Sequence, residues 1–146
     1  MTSIQPNPRQ PAPRRISPRT LIAYRRTHYN AGDIEVRIGF RSPAMDRALT
    51  VYRAREAVLI TAYNPFSRIM PPGWNQRMQA RLAQALRRRR TLPAKGSWRR
   101  WSEAHLMVLG DVRPVCRLIG SFRQNAIVIV RRGQPAQLRL APRGIA

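Results

Sequence analysis

Hydrophobic and polar positions along this chain switch between two periods. Ala57-Val-Leu-Ile-Thr-Ala-Tyr-Asn-Pro65 begins as an unbroken apolar run and stops at Asn64-Pro65. Such a run reads as a strand covered on both faces. Proline, which cannot donate to a ladder, and asparagine, which favours turns, end it. Residues 33–39 alternate strictly, with Ile34, Val36 and Ile38 on one side and Glu35 and Arg37 on the other. That pattern predicts a half-buried strand. Residues 105–109, 126–130 and 137–141 read as further strands, the last two forming a hairpin around Gly133.

The helical period appears between them. Ser17-Pro18 is an N-cap followed by proline at the first helical position, opening a short helix that ends near His28. Ser42-Pro43 repeats the signal, with Met45, Leu49 and Tyr52 at helical spacing. After the breaker Pro71-Pro72-Gly73, Trp74, Met78, Leu82 and Leu86 form the apolar stripe of a helix over residues 74–90. Its terminal Arg87-Arg88-Arg89-Arg90 suits the negative end of the helix dipole. Asp111 caps a last helix carrying Val112, Val115, Cys116, Ile119 and Phe122. Residues 91–104 read as a long loop with Trp98-Arg-Arg-Trp101 in it.

The fold expected is one α/β (α+β) domain over residues 17–141. It has a mixed sheet of about five strands with helices packed on it, closing in a C-terminal antiparallel hairpin. Residues 1–16, rich in Pro, Gln and Arg, are expected to be a disordered basic tail, and 142–146 a flexible C-terminus.

Composition adds one strong feature. The 146 residues carry 28 Lys+Arg against 6 Asp+Glu, a net charge of +22. Such a surface attracts polyanions. Only Lys95 is lysine, however, and with 13 prolines the arginine excess also fits the codon bias of a GC-rich genome. Cys116 is the single cysteine, so no internal disulfide forms. No apolar run approaches the length of a membrane span, and the first residues lack a signal-peptide core; a cytoplasmic location is expected. No phosphate-binding glycine loop is present, and His28 and His105 lack metal-ligand spacing and read as structural. No metal or cofactor is therefore expected.

Two sets of residues carry candidate chemistry. Asn64, Ser67, Asn75, Gln124 and Asn125 are polar groups placed around strand ends, where amides can read donor and acceptor pairs on a ligand. Asn64 is expected at a rim shared with the helix starts at Ser42 and Asp111, whose free N–H groups suit an anion. Gln124 and Asn125 reach that rim only if their strand runs antiparallel to the central one. The plainer role for Asn64 and Asn125 is to tie loops to backbone. Glu103 is the candidate general base, against the alternative of a salt bridge to a neighbouring arginine. Arg41 or Arg68 would hold a ligand's charge. The second set is Arg87, Arg88, Arg89, Arg90, Trp98, Arg99 and Arg100, cations with interleaved aromatics that suit RNA or single strands. Trp98 and Trp101 have the plainer alternative of plugging the core edge.

Thr61-Ala-Tyr-Asn-Pro65 and Phe122-Arg-Gln-Asn-Ala-Ile-Val128 resemble the signatures T-A-W/Y-N-P and F-G-Q-N-A-I-V of a bacterial domain of unknown function. Val36-Arg-Ile-Gly39, Ser42-Pro-Ala-Met-Asp46, Ser67, Asn75, Trp101 and Glu103 match further parts of its pattern. The resemblance covers roughly residues 20–141 and implies the fold and a bacterial cytosol, but no activity. Arg123 departs from it, standing where the pattern has glycine. Three functions are open at this point: a nucleic-acid or polyanion binding module, a small-molecule site or enzyme around Asn64, and an interaction domain for an acidic partner.

Overall fold

The computed structural model describes residues 16–142. Most of the expected N-terminal tail, and residues 143–146, lie outside them. Helix α1 (Pro18–Arg26) starts at Ser17, whose hydroxyl accepts from the Thr20 N–H. Strands β1 (His28–Ala31) and β2 (Ile34–Val36) form a hairpin, and α2 (Pro43–Val51) follows, capped by Ser42. Strand β3 (Glu56–Ile60), a 3-10 turn at Pro65–Ser67 and α3 (Pro72–Ala85) come next. Strands β4 (Arg90–Trp98) and β5 (Trp101–Leu109) make a long hairpin. Two short turns, α4 (Arg113–Cys116) and α5 (Leu118–Ser121), lead to β6 (Ala126–Arg131) and β7 (Gln137–Leu140).

These strands form one sheet in the order β2-β1-β4-β5-β3-β6-β7. Every ladder is antiparallel, so the expected mixed sheet is corrected on that point. A lone parallel bridge, Ile38 to Ala136, joins the chain beyond β2 to the chain before β7. The sheet thus curls until its two outer strands meet. The α+β class and the C-terminal hairpin are as expected, and the seven strands include two, β1 and β4, that the pattern did not predict.

Both misses have local causes. Strand β1 is four residues long and mostly polar. Strand β4 contains Pro93 and Gly96, which interrupt a strand pattern. Pro93 is tolerated because β1 pairs only with residues 95–97, leaving the proline side of that strand without a partner to bond. The expected loop over 91–104 is therefore a hairpin, turned at Arg99-Arg100 with Arg99 at φ 55°. Helix α3 is also shorter than expected: it ends at Ala85, and Arg87–Arg90 lead out of it into β4.

Two apolar cores follow from this curl. The concave core holds Tyr29, Val36, Leu59, Met107, Val128 and Val130, with Met45 and Leu49 of α2 inserted among them. The convex core holds Val58, Ile60, Val108, Ile127 and Ile129 against Leu82 of α3 and Val115 and Ile119 of the short turns. Strand β3 is buried on both faces because it sits inside the sheet between β5 and β6, with one core on each side.

One glycine is fixed by this packing. A Cβ at Gly96 would lie 2.9 Å from His105 Cε1 and 3.2 Å from Tyr29 Cε1. Gly96→Ala is expected to destabilise the fold by about 1–2 kcal/mol through overpacking. Urea unfolding, read as a fall in midpoint at constant slope, checks this.

Candidate functional site

The concave core does not fill the curl. Helix α2 occupies one end, and at the other a cavity of about 570 Å³ remains, roofed by α1. Its walls include Leu59, Val128 and Leu138 from the sheet, Trp98 and Trp101 from the hairpin tip, and Thr61, Tyr63, Asn64, Ser67 and Gln124 from the segments that join the elements. Arg19 and Arg26 of α1 and Arg99 line it as well. Glu103 and His105 project into it from β5, each 8% exposed.

Asn64 organises one wall. Its backbone is left-handed, with φ 47° and ψ 68°, a conformation asparagine tolerates better than most residues. Its side-chain oxygen accepts from the Met70 N–H and from Asn75 Nδ2, both at 2.9 Å. Its backbone N–H donates to Asn75 Oδ1 at 2.9 Å. With the amide thus oriented, Asn64 Nδ2 donates to Glu103 Oε1 at 2.8 Å. Thr61 secures the approach to this turn: the backbone ladder between β3 and β5 stops at Ile60, and the Thr61 hydroxyl donates to the Ala104 carbonyl at 2.6 Å.

Glu103 is partnered by that amide and makes no arginine salt bridge among the described residues. Burial pushes its carboxyl up to about 7, and the Asn64 bond opposes this only in part. His105 lies two residues along the same strand face. Its Nδ1 is 3.1 Å from the Glu103 carbonyl, so Nδ1–H donates and Nε2 is left without a proton. Burial lowers its pKa to about 4. The Tyr29 ring meets it edge-on at 5.4 Å. Burial also raises the Tyr24 phenol, whose oxygen is 3.3 Å from Ser67 Oγ, the link between α1 and the 65–67 turn.

The structure gathers part of the first candidate set. Asn64, Ser67, Gln124 and Glu103 all line the cavity. Strand β6 does run antiparallel to β3, which brings Gln124 and Asn125 to the end of β3 where Asn64 lies. Gln124 donates to the Tyr63 and Phe122 carbonyls, and Asn125 donates to Ser67 Oγ at 3.0 Å. Asn75 backs Asn64 from α3 and does not line the cavity.

Other expectations need correction. The helix starts at Ser42 and Asp111 do not share this rim. Asp111 follows β5 beside Glu56, at the opposite end of β3, and Ser42 donates to the Glu35 carbonyl. In an antiparallel sheet successive strand ends alternate sides, so helix starts do not converge as they do over parallel strands. Arg41 pairs with Asp46, and Arg68 is exposed outside the lining. The cations at the cavity are Arg19, Arg26 and Arg99, the first two on a helix whose position over the sheet left no trace in the residue pattern.

The second set is divided. Arg87–Arg90 and Trp98–Arg100 flank opposite ends of β4, which at 3.3 Å per residue lie roughly 26 Å apart. Arg89 donates to the Asp111 carbonyl, Arg90 stacks over Tyr52, and Arg99 covers Trp98 at 4.5 Å.

The backbone at Arg123 accounts for the glycine of the resemblance pattern. It adopts φ 51°, and its carbonyl accepts from the Phe66 N–H at 2.7 Å. Glycine suits that position because the backbone is left-handed there. Arg123→Gly is expected to stabilise the fold by about 1 kcal/mol, read as a raised melting temperature.

The two buried titrating groups make a second expectation. Glu103 has a raised folded pKa, so the folded state holds the extra proton and stability falls as pH rises from 4.5 to about 7. His105 has a lowered folded pKa, so the unfolded state holds the extra proton and stability rises from about 4 to 6.5. The slopes oppose over the shared window. Glu103→Gln is expected to unmask the rising slope of His105 there, measured by denaturant unfolding across pH.

No curated protein and no solved structure matches the chain. Residues 60–127, which hold Asn64, Asn75, Glu103, His105 and Gln124, match the model of a family described as a protein of unknown function (DUF3293).

Proposed function

We propose that this chain binds a small anionic molecule within the curl of its sheet, and that Glu103 exchanges a proton with it. The observation that supports this best is the anchored carboxyl: one oxygen of Glu103 is fixed by Asn64 in a largely apolar cavity of about 570 Å³. That volume lies in the range of small-molecule sites, which combine apolar walls with a few placed polar groups. Burying a carboxyl costs stability, and ionisable groups held in clefts at that cost concentrate at functional sites.

The lining describes the ligand. Arg19, Arg26 and Arg99 suit a carboxylate, phosphate or sulfonate. Trp98, Trp101 and Leu138 suit a flat apolar body. Glu103, with a pKa near 7, suits an N–H or O–H that donates to it or takes its proton.

Aromatic carboxylates and nucleoside monophosphates serve as probes. Members of that panel are expected to raise the melting temperature of the wild type. For a probe that donates to Glu103, affinity by calorimetry is expected to rise with pH through about 7, because the ionised carboxylate is the acceptor. Glu103→Gln is expected to flatten that dependence. A panel that leaves the melting temperature unmoved, or a pH dependence that survives Glu103→Gln with an aromatic carboxylate, whose own charge is constant over this range, overturns the reading.

A further inference from the structure

We propose that the rim of this cavity docks on the surface of an anionic lipid bilayer. The inference goes beyond ligand binding inside the curl and does not require it. It begins with exposed apolar side chains. Ile22 of α1, Ile69 and Trp101 line the cavity opening yet face solvent, Ile69 at 91% exposure. Phe66 stands on the same loop as Ile69, and Leu140 ends β7 opposite the cavity residue Ala126. Among the described residues only Phe40 and Val51 are large, apolar and exposed elsewhere. Scattered apolar residues need no explanation, but a cluster around one opening marks an interaction surface.

Charge selects the partner. Arg19, Arg26 and Arg99 line the opening, and the exposed Arg68, Arg100 and Arg123 flank it in sequence. Glu103 is the only acid in the lining, and it lies inside. The other five acids are elsewhere: Asp33 and Glu35 at the β1–β2 hairpin with Glu35 held by His28, Asp46 on α2, and Glu56 and Asp111 at the far ends of β3 and β5. A second copy of the chain would bring like charge against like. A nucleic acid would use the arginines and Trp101 but gain little from Ile22, Ile69 and Leu140. An anionic bilayer uses both, because its headgroups attract the cations while the acyl boundary takes the apolar side chains. Helix α1 fits this placement: it buries no residue of its own and carries Arg25 and Arg26 in its last turn.

The test uses the full chain and vesicles at physiological salt, either phosphatidylcholine alone or phosphatidylcholine with phosphatidylglycerol. Co-sedimentation is expected with the anionic vesicles and not with the zwitterionic ones, accompanied by a blue shift in tryptophan emission. The double variant Phe66→Ser/Ile69→Ser is expected to weaken binding roughly tenfold or more, since two apolar side chains no longer leave water. Val51→Ser, also exposed but on α2 and outside the cavity lining, is expected to bind as wild type; thermal melts establish that each variant is folded. Absence of binding to anionic vesicles overturns the proposal. So does binding that the double variant leaves unchanged, or a preference for single-stranded RNA over vesicles that the double variant retains.

Discussion

A sheet that is apolar on both faces must find two covers, and this chain has enough helix for only one and a part. Helix α3 and the turns α4 and α5 protect the convex face. The concave face is protected mainly by its own curvature, with α2 filling one end. Seven antiparallel strands with native twist can coil this way, and the bridge from Ile38 to Ala136 closes the turn. The cavity is what remains when the curl is wider than the side chains projecting into it. Its position at the end away from α2 follows from that shortage of filling.

The polar groups in the cavity answer to the same constraint. Once β5 crosses the curl, every second residue faces inward, and the run Glu103, His105, Met107 passes from the open end toward the packed one. Met107 meets Leu59 and Val128 in dry packing. His105 is neutral and tied to backbone. Glu103 needs a partner and finds it in Asn64, whose orientation is set by Met70 and Asn75. The arrangement joins the end of β3, the start of α3 and the middle of the hairpin in one polar network. Removal of any member leaves another unpaired, which is more costly than the bond itself.

Much of this was legible in the residues, and the failures have physical causes. The buried central strand, the capped helices at Ser17 and Ser42, and the final hairpin follow from short-range pattern, because period and capping chemistry are local. The strand itself stops at Ile60, four residues short of the expected end at Asn64, because Thr61 bonds through its hydroxyl rather than continuing the ladder. The convergence of Asn64, Glu103 and Gln124 was visible only as a set of polar residues near strand ends. Which ends meet depends on strand direction, and direction is decided by long-range pairing. Strand β4 was hidden by Pro93 and Gly96, residues allowed there for reasons that lie in β1 and His105 rather than in β4 itself. The cations Arg19 and Arg26 were unrecognisable as cavity residues, since nothing in an isolated helix tells which sheet it will lie across. Arginine abundance, by contrast, was obvious but carried no distances: Arg87–Arg90 and Trp98–Arg100 look adjacent along the chain and are separated by the length of a strand.

The clasp between Ile38 and Ala136 has a meaning for solubility. Sheet margins with free amides and carbonyls invite a neighbouring molecule to add itself, the first step towards fibres. Here Gly39 donates to the Ala136 carbonyl and Ala136 donates to the Phe40 carbonyl, so the two margins occupy each other for part of their length. A protein that keeps a wide hollow core and short outer strands thereby hides the template that would otherwise recruit its own kind.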